Sequence, residues 1–272
     1  MSDIIIIPNG KSVLLSPVDS AFAHGFGIFE TMRYAGGQID FWHYHWARLS
    51  KSAKYFALAL PNEDEVLTAL RTLVYDSALD QGILKISLMK ESTGSQLYVY
   101  SRKQIATPRN RRIRLDKSCP IFDRSALVGH KTHNYMEAMH LLSLARSRGD
   151  YDILRVDSNG YLAETTSANF YFIKGGIIHT PALETGILPG VTRTALLSEQ
   201  DLEIKSGLYP PETLHGAEAA FVTNASNGVQ FIEQLIGLSK QETVFFKTDI
   251  SAISIIESTF TSIRAGHAEK LI

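Results

Sequence analysis

Apolar positions along the first half of the chain change period repeatedly, and each change predicts an element. Phe29 to Tyr34 and Gln38 to Phe41 are short apolar or aromatic runs around Ala35-Gly36-Gly37, the pattern of a β-hairpin closed by a glycine turn. From Trp42 the spacing becomes helical: Trp42, Trp46, Leu49, Ala53 and Phe56 recur at intervals of four and three, which places them on one face. Asn62 and Glu65 have the spacing of a capping box, so a second helix starts there and turns Val66, Ala69, Leu70 and Leu73 inward. Gly82 to Lys90, Leu97 to Ser101 and Arg111 to Leu115 then read as strands separated by turn residues.

The second half restarts with a helical stretch from Asn134 to Arg148 and then becomes rich in hairpins. Asp157-Ser158-Asn159-Gly160 and Lys174-Gly175-Gly176 are turn signals between apolar runs. Pro189-Gly190 stands before an apolar helix from Val191 to Leu197, a strand-loop-helix junction. Ala219 to Thr223 and Val229 to Ile232 predict further strands, and Ile253, Ile256, Phe260 and Ile263 a closing amphipathic helix. The pattern predicts a mixed α+β chain of two domains: residues 1–118, a linker over 119–126 containing Cys119-Pro120, and residues 127–272.

Composition narrows the classes. With 44% hydrophobic and 20% charged residues among 272, the chain has enough apolar material for extended cores. Lys+Arg 27 against Asp+Glu 28 gives a formal charge of -1, so no global field gathers nucleic acid or an acidic membrane, and any anion must be held locally. One cysteine, Cys119, makes no intrachain disulfide. Met1-Ser2-Asp3 opens directly into Ile4-Ile5-Ile6-Ile7 without the longer run of a signal peptide, and no stretch reaches the ~20 apolar residues of a membrane span. A cytoplasmic, soluble protein is expected.

The familiar catalytic signatures are missing. His43 and His45, and later His130, His133 and His140, lack an established metal-ligand spacing, so no metal is expected. Gly25-Phe26-Gly27 is half of a dinucleotide fingerprint without the βαβ unit behind it, and there is no Gly-x-Ser-x-Gly elbow. What remains is dispersed: Arg48, Lys131, Glu164 with Asn169, Leu188-Pro189-Gly190-Val191-Thr192-Arg193, and Thr223-Asn224-Ala225-Ser226. Singly, each has an ordinary reading as a surface charge, a hairpin edge or a helix entry.

Their joint order resembles a family. Asp19, then His24-Gly25-Phe26-Gly27-Ile28-Phe29-Glu30-Thr31-Met32-Arg33, then His45-x-x-Arg48-Leu49-x-x-Ser52-Ala53 is similar to the amino-terminal signature of the class IV pyridoxal-phosphate enzymes. These comprise branched-chain and D-amino-acid aminotransferases and aminodeoxychorismate lyase. The likeness continues through Lys131-Thr132-His133-Asn134-Tyr135, Glu164-x-x-x-x-Asn169-Phe170, Thr180-Pro181 and Leu188 to Arg193, and so covers most of the chain.

The resemblance implies a two-domain fold type IV enzyme, a homodimer, with pyridoxal 5'-phosphate in the cleft between domains and a pseudobarrel carboxy-terminal domain carrying the cofactor lysine. Lys131 is implied as the residue joined to the cofactor's aldehyde and as the base of the reaction, chemistry that a lysine amine supports. Glu164 is implied to face the pyridine nitrogen, where a carboxylate keeps that nitrogen protonated. Arg48, Thr192 and the amides of Val191 and Thr192 are implied to hold the phosphate, with Gly190 allowing close backbone approach. Leu188 is implied to pack on the ring and Tyr135 to hydrogen-bond its phenolic oxygen, with Asn224 and Ala225 completing the set. The Lys131 to Tyr135 spacing and Asn224-Ala225 favour the branch that splits 4-amino-4-deoxychorismate into pyruvate and 4-aminobenzoate, a step of folate biosynthesis. A D-amino-acid or branched-chain aminotransferase is the alternative. Where relatives commonly have Arg-Gly after the strand from Leu84, this chain has Lys90-Glu91, which leaves the ligand of the substrate carboxylate open.

Overall fold

A computed structural model describes residues 4–7, 18–104, 110–239, 243–249 and 251–272, the first four as backbone only; Met1 to Asp3, used above in the reading against a signal peptide, lie outside them. The chain forms two compact units: Met1–Ala106 with His130–Asn134 and Arg264–Ile272, and Thr107–Gly129 with Tyr135–Ile263.

In the first unit β1 (Ile4–Ile7), β2 (Gly27–Ala35), β3 (Gln38–Asp40), β4 (Gln81–Glu91), β5 (Gly94–Arg102) and, from the chain end, β16 (Ala268–Lys270) form an antiparallel sheet in the order β1-β5-β4-β2-β3-β16. The unit's helices are α1 (Ser20–His24), α2 (Trp42–Tyr55) and α3 (Glu63–Asp76). The Asn62 cap forms where the spacing predicts it: the Glu65 amide donates to Asn62 Oδ1 at 2.9 Å. Strand alternation gives the sheet two different faces. Ile28, Met32, Leu84, Ile86, Leu88 and Val99 point to one, where Leu49 and Ala53 of α2 and Val66, Leu70 and Leu73 of α3 complete an apolar core. Phe29, Lys85, Ser87 and Tyr100 point to the other, because Phe29 pairs with Ser87 and Lys85 with Tyr100.

The second unit holds two five-stranded sheets. One comprises β6 (Arg112–Ile121), β7 (Asp152–Asp157), β8 (Leu162–Thr165), β14 (Gln234–Ile236) and β15 (Thr243–Phe245) in the order β15-β14-β6-β7-β8. The other comprises β9 (Asn169–Lys174), β10 (Ile177–Pro181), β11 (Ile204–Gly207), β12 (Ala219–Asn224) and β13 (Gly228–Ile232) in the order β11-β10-β9-β12-β13. Helices α4 (Met136–Ser147), α5 (Val191–Leu197) and α6 (Ser251–Gly266) complete it. Ile113, Leu115, Leu154 and Val156 of the first sheet share a core with Phe170, Phe172, Ala220 and Val222 of the second. Both hairpin turns after β7 and β9 fall where the glycine and asparagine signals place them.

Two boundaries differ from the sequence expectation. The stretch 119–126 is not a free linker, since β6 runs through Cys119-Pro120 to Ile121. Proline is tolerated because the β6–β7 register shifts between Asp116 and Ile121, so its missing N–H costs no ladder bond. Lys131 belongs to the first unit, not to the carboxy-terminal one. Between β6 and α4 the chain leaves the second unit, and residues 130–134 lie against β2 through an Ile28–Thr132 antiparallel bridge.

Candidate active site

Lys131 is held by backbone pairing. The Phe29 amide donates to Lys131 O at 2.8 Å and the His133 amide to Gly27 O at 2.9 Å, so the segment extends the sheet for a few residues. Gly27 keeps the approach close: a Cβ there would meet Met89 Sδ at 2.7 Å and both His133 Cδ2 and Leu88 O at 3.0 Å, so its neighbours would have to shift. This register lays the Lys131 ammonium over the Phe29 ring, 4.5 Å from its centroid. Lys85 Nζ lies 4.6 Å from the same centroid and 5.5 Å from that of Tyr100. His133 packs its ring 5.0 Å from Phe29, and its buried Nε2 has no hydrogen-bond partner. Burial, with the charges of Lys85 and Lys131 second, pushes its pKa down to about 4, so the imidazole is neutral at pH 7.

Arg48 occupies a different place in this unit. Glu30 is on the apolar face of β2, and α2 brings His45 and Arg48 to it at i and i+3. Arg48 Nε donates to Glu30 Oε1 at 2.8 Å and Nη2 to Oε2 at 2.6 Å, while His45 Nδ1 lies 2.6 Å from Oε2. Burial raises the Glu30 pKa, but Arg48 and His45 outweigh it and hold the carboxyl at about 2. Sequence reasoning gave Glu30 and His45 no role. The available signal was a charge on the apolar face of an alternating strand, which must be paired.

The second unit gathers Glu164, Asn169, Leu188, Gly190 and Thr192. Glu164, in β8, accepts from the Leu188 amide at 3.1 Å through Oε1 and from Asn169 Nδ2 at 2.8 Å through Oε2. Asn169 Nδ2 also donates to Leu188 O at 2.9 Å, tying the strand pair to the loop before α5. Asp152, which the sequence reading passed over, pins the β8–β9 turn: it accepts from Thr166 Oγ1 at 2.6 Å and Ser167 Oγ at 2.9 Å. Gly190 caps α5 and cannot carry a side chain, because a Cβ there would strike Asn169 Oδ1. Having no side chain, it also leaves the first-turn amides of Val191 and Thr192 without a cap. Thr192 Oγ1 is buried and has no hydrogen-bond partner.

The remaining expected residues are less closely joined to that group. Asn224, at the end of β12, accepts from the Asn227 amide at 2.8 Å and donates through Nδ2 to Ser167 O at 3.4 Å; Ala225 follows in the same turn. Tyr135 is the residue before α4. Among the described residues no group of three or more His, Cys, Asp or Glu side chains is placed for a metal ion, and no helix is long and apolar enough to cross a membrane.

These donors fit pyridoxal phosphate. An orphaned buried hydroxyl beside uncapped amides suits a phosphate, a carboxylate fixed through both oxygens suits a protonated ring nitrogen, and an amine over an aromatic ring suits an aldehyde partner. With three sheets and six α-helices among the described residues, the architecture is that of the fold type IV enzymes. The chain belongs to the amino-transferase class IV family, whose model matches residues 27–235. It is 27% identical over 232 residues to aminodeoxychorismate lyase of Bacillus subtilis (strain 168), covering 79% of each chain. It is 26% identical over 290 aligned positions to the mitochondrial branched-chain amino acid aminotransferase 1 of Humulus lupulus, covering 95% of this chain and 73% of that one. A hypothetical aminotransferase from Mycobacterium tuberculosis, solved in a PLP-bound form, superposes with a TM-score of 0.83 at 17% identity, covering 97% and 99% of the two chains.

Proposed function

We propose that this enzyme is a pyridoxal-phosphate-dependent 4-amino-4-deoxychorismate lyase. The likeness to the Bacillus subtilis lyase across 79% of both chains carries the reading. Lys85 supports it: its ammonium shares the Phe29 ring with Lys131, which puts a second cation beside the reacting amine for a substrate that carries carboxylates. On this reading Lys85, rather than Lys90, meets a substrate carboxylate.

Bound cofactor supplies an electron sink for the pair left by C–H cleavage. Lys131 Nζ takes the proton from the substrate's amine-bearing carbon, the neighbouring C–O bond breaks, and pyruvate leaves as its enol, which then takes up a proton at carbon. The remaining ring becomes aromatic 4-aminobenzoate, and atoms balance without a second substrate. Glu164, held by Asn169 Nδ2 and the Leu188 amide, keeps a proton on the cofactor's ring nitrogen. Thr192 Oγ1, the amides of Val191 and Thr192, and Arg48 would hold the phosphate. Leu188 would pack on the ring and Tyr135 would hydrogen-bond its phenolic oxygen, with Asn224 and Ala225 completing the set. The working form is a cytoplasmic homodimer, and light scattering tests its assembly.

The aminotransferase reading is favoured by the 95% coverage of this chain by the Humulus lupulus enzyme. One assay separates the two. A lyase given aminodeoxychorismate and no keto acid accumulates 4-aminobenzoate over many turnovers. If none accumulates, while D-alanine or a branched-chain amino acid bleaches the cofactor's visible band and a keto acid restores it, the aminotransferase replaces the lyase.

A further inference from the structure

A buried serine on α2 makes a bond that its own helix does not call for. Ser52 lies on the inward stripe of α2 with Leu49 and Ala53 and is buried with them. A serine or threonine inside a helix commonly satisfies its hydroxyl by donating to the carbonyl four residues back. Thr72 of α3 and Thr261 of α6 do so, to Thr68 O at 3.1 Å and Glu257 O at 2.8 Å. Ser52 Oγ is instead hydrogen-bonded to His130 Nδ1 at 2.9 Å, 78 residues along the chain. The His130 ring also stacks on Tyr55, with centroids 4.4 Å apart, and meets Phe56 in a T-shaped contact at 4.9 Å. The last turn of α2 and the residue that caps it thus grip one side chain by a hydrogen bond and two rings.

His130 immediately precedes Lys131, at the point where the chain enters the first unit. Downstream, sheet bonds fix the segment: Lys131 O accepts from the Phe29 amide and Gly27 O from the His133 amide. Upstream stands Gly129, at φ +78° with nothing within 4 Å of where a Cβ would be, a residue that restrains little. Alternation sorts the side chains between the two faces. Thr132, bridged to Ile28, and His130 face α2, whereas Lys131 and His133 face Phe29. A hold on the His130 ring therefore fixes the backbone on the amino side of Lys131, from the face opposite Phe29. Taking Lys131 as the cofactor lysine proposed above, on which this assignment rests, we infer that Ser52 and His130 are positioning residues: they set the direction in which Lys131 presents its amine to the cofactor's aldehyde. Orientation of this kind changes the rate at which two held groups react more than the affinity that brings them together.

The test separates capture of the aldehyde by Lys131 from binding of the rest of the cofactor. Full-length, cofactor-free wild type, Ser52→Ala, His130→Phe and the double variant are mixed with saturating pyridoxal phosphate, and growth of the visible band gives the rate of covalent capture. Affinity for pyridoxamine phosphate, which keeps the ring and the phosphate but has no aldehyde, is measured on the same proteins. His130→Phe keeps a ring and loses the hydrogen bond; Ser52→Ala loses the same bond from the other side. Each slows capture about tenfold, the scale of one hydrogen bond, and leaves the affinity for pyridoxamine phosphate unchanged. The double variant is no slower than either single one, because all three lack the same bond. A packing role alone lowers capture and affinity together and overturns the inference, as does capture at the wild-type rate in Ser52→Ala. If His130→Phe does not fold, Ser52→Ala, which deletes a single oxygen, decides by itself on the same two measurements. Borohydride reduction and peptide mapping of the wild type place the adduct. Label on Lys131 with wild-type capture in the variants removes only the positioning role, whereas label on another lysine, or no uptake of pyridoxal phosphate, overturns the cofactor reading and this inference with it.

Discussion

Acid should weaken the first unit through His133, by an amount the structure defines. Its imidazole packs on Phe29 with Nε2 buried and unpartnered, and the ammonium groups of Lys85 and Lys131 oppose a third positive charge. The folded-state pKa is about 4 against an ordinary 6.5. Below 6.5 the unfolded chain takes up a proton that the folded site refuses, so the contribution is complete above pH 6.5 and is lost as the pH falls through about 4. At about 1.36 kcal/mol per pH unit, the loss approaches roughly 3 kcal/mol. The substitution to compare is His133→Leu, which fills similar space and does not titrate. Urea unfolding of the cofactor-free protein is followed by tryptophan fluorescence between pH 7.5 and 4.5. Both tryptophans, Trp42 and Trp46, stack at 5.7 Å on α2 and so report on this unit alone. The wild type should lose roughly 2–3 kcal/mol more than His133→Leu over that range. His45, whose pKa burial also depresses, adds the same slope to both proteins and cancels. Parallel pH curves for the two would refute the reasoning.

Other substitutions test the remaining parts of the site. Lys131→Ala should abolish covalent cofactor attachment without unfolding the chain; borohydride reduction and peptide mass mapping would place the label on Lys131 in the wild type, and a label on another lysine contradicts the assignment. Glu164→Gln should keep the cofactor and lower kcat by roughly a hundredfold, as expected when a preorganised charge is removed; wild-type turnover would mean that another group partners the ring nitrogen. Gly190→Ala should cost about 1–3 kcal/mol of stability by overpacking against Asn169, with loss of the Asn169 bonds to Glu164 and Leu188; an unchanged melting temperature would show that the loop gives way freely.

Local elements were legible because neighbouring residues specify them. Asn62 and Glu65 cap α3 within one turn, Gly36 and Gly37 both adopt positive φ between β2 and β3, and Gly190 precedes α5 where the strand-loop-helix junction was expected. The apolar stripe of α2 buries Trp42, Leu49 and Ala53 as its period requires. Elements whose partners are distant were not legible. β11 carries little apolar signal and exists through parallel pairing with β10, while β16 is three residues laid against β3 at the far end of the chain. Cys119-Pro120 looks like a break in isolation and is part of a strand because β7 lies beside it through a register shift.

The same division runs through the site. Order and spacing of Arg48, Lys131, Glu164 and the Leu188 to Arg193 run were enough to place the chain in its family, since the likeness lies in which residue types follow one another along the chain. Tertiary structure alone decided what each one touches. Lys131 shares Phe29 with Lys85 because a bridge to Ile28 draws residues 130–134 onto β2. Arg48 meets Glu30 because strand alternation turns that carboxylate toward α2. Glu164 is fixed by an amide of Leu188, 24 residues away. Sequence patterns encode a residue's own preference and its periodicity, whereas a buried charge finds its partner only when separate segments are brought together, and that pairing is set by the fold as a whole.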